Sequence, residues 1–577
     1  PLPPAPVFTK RLLPLAKRPG PPPGVAIPSF LPDRIVRAAR RVFGITHLHP
    51  EQARAIEAVL TGHDAMAVLP TGYGKSLIYQ VPAVLLDRPV LVISPLIALM
   101  RDQEDKLRAR GVPVVRLDST LRAQERRDGL ARVARGGSLV VLTTPETLHA
   151  KDAKPAIEAA RPALLAVDEA HCISEWGHDF RPAYLQLAET RKTLGVQHVL
   201  ALTATATPHV REDIAQRLAL QDPVVVLAPP HRANLRLGVH TVSGPSVKLE
   251  IAGRLLQRLP RPGILYCATT RAVDDIFAAL SQTKIPCAKY HGGLSDEERS
   301  SAQARFMAKD GRIVMIATSA FGMGIDKPDI RYIVHFQVPG SLEQYVQEAG
   351  RAGRDGKQSD CVLLFDRADL QIQEFLEAQG RPTGAQLKRV ATAISAWTED
   401  DDEGASPNDL ALAAGVPAGA ARAACVELGE LGLVSFDGKR KAKALVDAKA
   451  LKKSTDELAL RFDILAMQDK KRLDAITSYA EVDECRSAFI RRWFGEKTPP
   501  RCGKCDVCRI GERVRLIEEA EARGEAPPPP DIYDVTANKL RQAREAPRRG
   551  RRGRPQKKPQ GQPGKRRGRP KRKAARR

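Results

Sequence analysis

The 577-residue sequence contains no run of 18 or more apolar residues, the length a membrane-spanning helix requires. Its longest candidate, Pro89 to Met100, is short and broken by Pro95, so no membrane partner is expected. No internal repeat is visible, which argues against a solenoid or propeller. The opening is proline-rich and lacks the apolar core of a secretory signal, so no leader is expected. Acid is missing from one place in particular: Pro547 to Arg577 holds 16 Lys or Arg and neither Asp nor Glu. Cysteine is scattered over most of the chain, at Cys172, Cys267, Cys287, Cys361 and Cys425. That spacing does not read as a disulfide framework.

What is present is ample apolar material. Hydrophobic residues make up 43% of the chain, which excludes a wholly disordered protein. The length fits three or four domains. The formal net charge is +25, and the last 31 residues leave only +9 for everything before them. A globular body with a basic tail points to a polyanion, most simply nucleic acid; a solubilising tail is the plainer alternative.

Six segments follow from the pattern. Residues 1–30 form a Pro-rich arm that is expected to be disordered. Over 31–230, short apolar runs alternate with helix-like stretches: Ala65–Leu69, Val90–Ile93, Leu139–Leu142, Leu164–Val167 and Val199–Leu202. Such runs read as buried parallel strands of an α/β sheet. A second series over 231–378 has runs at Gly263–Cys267, Ile313–Ala317 and Tyr332–Phe336. The fold class is α/β, with two parallel-sheet lobes in tandem. Residues 379–454 read as a helix at Ala385–Trp397, an acidic loop at Glu399–Glu403, helices at Pro407–Ala414 and Ala418–Leu431, and a hairpin turning at Asp437-Gly438. That order is winged-helix-like, a small helical connector being the alternative. Residues 455–512 read as two long helices, over 455–494, leading into a cysteine cluster. Residues 513–577 are a charged stretch, a Pro527–Pro530 break and a disordered basic tail.

Leu69-Pro70-Thr71-Gly72-Tyr73-Gly74-Lys75-Ser76 follows one of these strands and precedes a helix-like run, the context a phosphate loop requires. Thr71, Gly72 and Gly74 let backbone N–H groups approach phosphate oxygens. Lys75 would reach the β/γ-phosphates, and Ser76 would bind Mg²⁺. About 90 residues on, a second strand ends in Asp168-Glu169-Ala170-His171. There Asp168 would hold Mg²⁺ and Glu169 would polarise the attacking water. Charge that builds on the γ-phosphate calls for a cationic finger. Arg351 and Arg354, set among Gly350 and Gly353, are the candidates.

These motifs together resemble the RecQ family of superfamily-two DNA helicases, over about residues 40–375 and 455–510. The resemblance implies two RecA-like lobes. It gives Gln52 the task of reading adenine, with His49 where the family has arginine and Tyr73 where it has glycine. It makes Ser94 to Gln103 and Thr144-Pro145-Glu146 DNA-contacting motifs. It identifies His171 to Arg181 as the aromatic-rich loop, in which Trp176, Phe180 and Arg181 would meet single-stranded DNA; aromatic faces stack on any base. Thr203-Ala204-Thr205 would couple hydrolysis to movement, and Asp326 would meet the ribose or couple the lobes. The family usually places its winged helix after the zinc module; here the winged-helix-like segment precedes it.

Cys485-x16-Cys502-x2-Cys505-x2-Cys508 supplies four thiolates. A closed tetrahedral set fits structural zinc. An iron–sulfur cluster also takes four cysteines, but the spacing and the resemblance favour zinc. In the tail, Arg552-Gly553-Arg554-Pro555 and Arg567-Gly568-Arg569-Pro570 resemble AT-hooks. Such arginines enter the narrow minor groove of A·T-rich DNA; a polybasic arm or nuclear-import signal is the alternative.

The expected protein is an ATP- and Mg²⁺-dependent 3′–5′ DNA helicase that carries Zn²⁺, serves recombination and repair, and acts on single-stranded and duplex DNA. A monomer is expected, associated with a bacterial nucleoid or, in a eukaryote, nuclear. Its rivals are a duplex translocase that does not separate strands, and an architectural DNA-binding protein with a degenerate ATPase.

Overall fold

The computed structural model describes residues 31–526, apart from 178, 231, 323–324, 381, 401–403 and 437–440. The Pro-rich arm, the AT-hook-like arginines and the Asp437-Gly438 turn lie outside the described residues.

The first lobe is built on a seven-stranded sheet: β1 (Ala65–Val68), β2 (Val90–Ile93), β3 (Val114–Leu117), β4 (Val140–Thr143), β5 (Leu164–Val167), β6 (His198–Thr203) and β7 (Val224–Leu227). The order is β3-β4-β2-β5-β6-β1-β7, and every pairing is parallel. β1, β2, β4 and β5 are buried throughout. Helices cover both faces, so these strands carry unbroken apolar runs rather than alternation.

The second lobe repeats the plan with six strands: β8 (Leu235–Thr241), β9 (Gly263–Tyr266), β10 (Cys287–Tyr290), β11 (Val314–Ala317), β12 (Tyr332–His335) and β13 (Ser359–Phe365). Their order is β10-β11-β9-β12-β13-β8, again all parallel. β3, β7, β8, β10 and β13 are additional to the apolar runs of the sequence. β10 breaks the continuous apolar signature with Lys289, whereas β7 is apolar throughout but partly exposed.

Helix Gly384–Asp400, a bridge between Ala405 and Ala442, helices Pro407–Ala414 and Ala418–Glu430, and an antiparallel pair β14 (Val434–Ser435) and β15 (Lys443–Ala444) follow. Helices and strand pair follow one another in the order read from the sequence. The first helix runs through Glu399 and Asp400, which were expected in an acidic loop.

The expected pair of long helices over 455–494 is corrected. One helix of 34 residues, Ala448–Glu481, precedes a short one, Arg486–Trp493. The long helix has neither Gly nor Pro to stop it. It also crosses residue 454, so the winged-helix-like segment and the zinc module share it. Leu451, Leu458, Phe462 and Leu465 pack into the winged-helix core. Leu473, Ile476 and Tyr479 pack into the core of the second lobe. Among the described residues, the first unit runs to Arg509 and the second is 510–526, within and after helix Asp506–Ala522.

Candidate nucleotide cleft, aromatic-rich loop and zinc module

The cleft is assembled at the C-terminal ends of parallel strands, where α/β sheets bind ligands. β1 delivers the phosphate loop, β5 delivers Asp168 and Glu169, and β6 ends at Thr203. Gly72 and Gly74 adopt φ of 82° and 78°, which L-residues avoid. A side chain at Gly74 would strike the Gln52 amide at 2.7 Å, and one at Gly72 would meet Arg354 at 3.0 Å. Glu169 also has positive φ, 48°. A non-glycine residue held there marks a backbone fixed by its surroundings.

A cavity of about 390 Å³ lies between the lobes. Thr71, Gly72, Lys75, Ser76, Asp168 and Glu169 line it from the first lobe. Asp326, Gln347, Arg351 and Arg354 line it from the second. Lys75 Nζ donates to the Leu69 carbonyl at 3.3 Å. Burial and the neighbouring Glu169 charge push the Asp168 carboxyl up to about 7, while Lys75 pulls it down. The buried Asp168 carboxyl and the Ser76 hydroxyl face one cavity, an oxygen donor set that suits a divalent cation.

The second lobe reaches across. Gly350 lies so close to Thr71 that a Cβ there would sit 3.1 Å from the Thr71 Cβ. Asp326 accepts from Arg354 Nη1 at 2.7 Å and from Lys106 Nζ of the first lobe at 2.7 Å. Lys106 also pairs with Asp102 at 2.8 Å. Arg351 donates to the Gly322 carbonyl and would collide with any side chain at Gly322.

The sequence reading missed what steadies this turn. Arg232 donates to the carbonyls of Gly350, Ala352 and Gly353, and Asn234 donates to those of Gly353 and Lys357. Burial lowers the Arg232 guanidinium to about 10. Only its place just after Pro229–Pro230 hinted at it, and that stretch reads as a domain break.

Gln52 is buried, with its amide turned to the phosphate loop. Oε1 accepts from the His49 N–H at 3.0 Å, and Nε2 donates to the carbonyls of Tyr73 (2.8 Å) and Gly74 (3.1 Å). The two departures from the family pattern meet each other. His49 and Tyr73 stack with ring centroids 4.2 Å apart, and Tyr73 Oη donates to Glu51 at 2.7 Å.

The aromatic-rich loop starts at His171, two residues after Glu169. It folds back so tightly that a Cβ at Gly177 would lie 2.4 Å from the His171 carbonyl oxygen. Trp176 is half-buried and meets His209 edge-on at 4.1 Å. Phe180 lies under the Arg461 guanidinium at 5.8 Å. Arg181 donates to the Pro95 carbonyl and to Asp179, both at 3.3 Å. The loop is therefore tied to the Ser94–Gln103 motif. Glu175 accepts from Arg461 Nη2 at 2.7 Å and pairs with Arg217 at 3.3 Å, while Arg472 donates to its carbonyl at 3.3 Å. Arg461 and Arg472 belong to helix Ala448–Glu481. Nothing in the sequence spacing links them to a loop nearly 300 residues earlier.

Cys485, Cys502, Cys505 and Cys508 bring their sulfur atoms within 4.8 Å of one another. Backbone N–H groups of Cys502, Cys505 and Cys508 point at neighbouring sulfurs at 3.1–3.4 Å. Four convergent sulfurs with amide donors suit thiolates around a tetrahedral ion. The fully buried Arg486 pairs with Asp506 at 3.0 Å, and Asp506 also accepts from Val239 N–H of β8 at 3.1 Å. Trp493 Nε1 donates to Glu343 at 2.8 Å, and Arg211 of the first lobe donates to the Phe494 carbonyl at 3.2 Å. The module thus contacts both lobes.

Two RecA-like lobes with a phosphate loop, an acidic pair and arginines reaching across the cleft define a nucleotide-driven motor of the helicase class. The family model for DEAD/DEAH box helicases matches residues 49–214, that for the helicase conserved C-terminal domain matches 247–356, and that for RecQ zinc-binding matches 447–509. The chain is 35% identical over 490 residues to the probable ATP-dependent DNA helicase RecS of Bacillus subtilis, covering 84% of this chain and 94% of that one. It is 34% identical to the ATP-dependent DNA helicase RecQ of the same organism, over 81% of this chain and 65% of that one. It is also 34% identical to ATP-dependent DNA helicase Q5 of Rattus norvegicus, spanning 44% of its length. The crystal structure of the DUF1998 helicase MrfA bound to DNA shares the fold at a TM-score of 0.50 and 18% identity, over 73% of this chain and 60% of that one. The chain belongs to the RecQ family of ATP-dependent DNA helicases.

Proposed function

We propose that this protein separates DNA strands by moving 3′ to 5′ along single-stranded DNA, at the expense of Mg²⁺-ATP, in recombination and repair. The arrival of Arg351 and Arg354 from one lobe beside Lys75, Asp168 and Glu169 of the other carries this reading. The phosphate loop and Lys75 hold the phosphates, Gln52 senses the base end, and Glu169 orients the attacking water. Arg351 and Arg354 stabilise the charge that develops on the γ-phosphoryl group. Ser76 and Asp168 would hold Mg²⁺, which when bound offsets phosphate charge. Hydrolysis changes what the two arginines contact, and Asp326, shared between Arg354 and Lys106, relays that change between the lobes. Trp176, Phe180 and Arg181 report strand occupancy to Glu169, since their loop begins two residues later at His171. Zinc on the four cysteines clamps the long helix to the second lobe. Arg552, Arg554, Arg567 and Arg569 hold the enzyme on A·T-rich duplex, raising its local concentration.

The test is strand separation on duplexes with a 3′ or a 5′ single-stranded tail, with ATP and with or without Mg²⁺. The expected result is Mg²⁺-dependent unwinding of the 3′-tailed substrate alone, abolished by Glu169→Gln. DNA-stimulated hydrolysis without unwinding would favour the translocase. Removal of residues 547–577 should flatten the salt dependence of duplex binding, because each phosphate contact releases counterions.

A further inference from the structure

Helix Ala448–Glu481 leaves three large apolar side chains in solvent at its middle. Leu460, Ile464 and Met467 are 65%, 38% and 59% exposed. Spacings of four and three residues set them on one line along the helix. Leu458, Phe462 and Leu465, on the opposite side, are buried in the winged-helix core. A helix that has already buried one apolar face usually turns a polar one to water. We propose that this line receives single-stranded DNA, as a continuation of the aromatic-rich loop.

The loop lies along one flank of the line. Arg461, the residue after Leu460, donates to Glu175 at 2.7 Å and lies over the Phe180 ring at 5.8 Å. Arg472, just beyond Met467 on the same flank, donates to the Glu175 carbonyl at 3.3 Å. A strand that meets Trp176 and Phe180 therefore has the apolar line beside it.

The ends of the line are cationic. Followed in both directions it reaches Lys453 and Lys471, about 27 Å apart along the helix axis, with Lys452 and Lys470 next to them. All four lysines are exposed, and none pairs with another residue. Two of the acids along the edges are already engaged. Asp456 pairs with Lys388 at 2.9 Å, and Asp463 accepts from the Gly384 N–H at 3.2 Å. That leaves Glu457 and Asp474 against the lysines, a balance that favours a polyanion.

The size and rim of the line select a strand over a protein. Three side chains over two helical turns fall well short of the roughly 800 Å² that each partner of a stable protein interface buries. Lysine is also depleted from the core of such interfaces. Leu, Ile and Met are among the residues that proteins press against unstacked bases. A single strand offers those base faces, whereas a duplex hides them in its stack. The phosphates of the same strand meet the lysines. The path from loop to helix rests on the proposed reading of the loop as a strand contact; the helix line itself does not.

The experiment titrates the full chain into a dye-labelled oligothymidylate, followed by fluorescence anisotropy over a range of salt. The double variant Leu460→Ser/Met467→Ser should bind about tenfold more weakly with its salt slope unchanged, the scale of two buried methylene groups. Lys453→Gln/Lys471→Gln should instead flatten the salt slope, by about 0.7 for each lysine. All four positions are exposed, and circular dichroism and thermal melting check that the variants fold. Native affinity in the serine variant overturns the proposal; if sedimentation then shows that variant losing a dimer that the native chain forms, the line belongs to a second copy. An equal loss on a blunt duplex overturns the choice of single strand. Trp176→Ala separates the two readings. If it binds as the native chain does while the serine variant binds weakly, the helix line stands and the loop's part falls. The converse result overturns the helix line alone.

Discussion

The nucleotide cleft and the aromatic-rich loop adjoin at Glu169 and His171, two residues apart, yet they are held in place by different means. In the cleft, Lys75, Asp168 and Thr203 sit at or just beyond strand ends, on backbone fixed by parallel ladders and by glycines that tolerate no Cβ. In the loop, Glu175 and Phe180 are steadied by side chains of a helix almost 300 residues later, and Trp176 rests on His209. Local backbone geometry sets the first region, and long-range side-chain contacts set the second. The chemistry thus stays fixed while the loop proposed to read the DNA strand can answer to other parts of the chain.

The largest effects should come from the cleft. Glu169→Gln and Arg354→Ala should each lower kcat for ATP by about 10³-fold or more, the scale of losing a water-positioning group or an arginine finger. Nucleotide binding, measured by fluorescent-nucleotide titration, should survive Glu169→Gln. A small loss in either variant would mean that the cleft does not act as one rigid constellation. Next should come the zinc module. Cys505→Ser should unfold the segment around residues 485–508, because a structural zinc site contributes folding free energy directly. The Arg486–Asp506 pair and the Trp493–Glu343 contact depend on that segment. The loss should appear as a separate low-temperature transition in calorimetry.

The same division explains what the sequence revealed. Motif residues at strand ends were legible because the chemistry demands particular residue types at close spacing, as in Gly74-Lys75-Ser76 or Asp168-Glu169. The four cysteines were legible for the same reason. Most buried strands of continuous apolar residues were legible, whereas β10, interrupted by Lys289, was not, and the apolar but half-exposed β7 and the buried β13 were passed over. The expected pair of long helices over 455–494 proved unequal, the first beginning earlier at Ala448 and the second spanning only Arg486–Trp493. Arg232, Arg461 and Arg472 carried no signal at all, since an arginine that bonds a distant carbonyl or carboxylate looks like any surface arginine.

Arg232 tests whether a long-range side chain can matter as much as a motif residue. It supplies donors to three carbonyls of the turn that carries Arg351 and Arg354, and it is largely buried. Arg232→Ala takes a donor from the Gly350 and Ala352 carbonyls, a cost of about 1–3 kcal/mol each where buried, whereas the Gly353 carbonyl keeps Asn234. The turn should loosen, and kcat should fall by about tenfold to a hundredfold, short of the Arg354→Ala loss. Nucleotide affinity should change less than kcat, because Arg232 touches the turn and not the phosphate loop. An equal fall in affinity would place it among the binding groups.

The smallest expected effect bears on the loop. The Glu175–Arg461 pair is part-exposed, with side-chain accessibilities of 16% and 36%, so its loss should cost on the order of 1 kcal/mol. Arg461 reaches none of the nucleotide-cleft residues, and hydrolysis without DNA should be unchanged in Arg461→Ala. What should change is the DNA concentration that half-saturates the ATPase, by roughly fivefold for that free energy. Arg461→Lys keeps the charge but loses the planar group over Phe180, and should recover only part of the effect. The helix carrying Arg461 packs its first half into the winged-helix core and its second into the second lobe. The pair therefore lets any displacement of that helix reach the loop beside Glu169. If Arg461→Ala lowers DNA-free hydrolysis as much as the DNA-stimulated rate, the pair props up the acidic turn itself, and the loop is as rigidly built as the cleft.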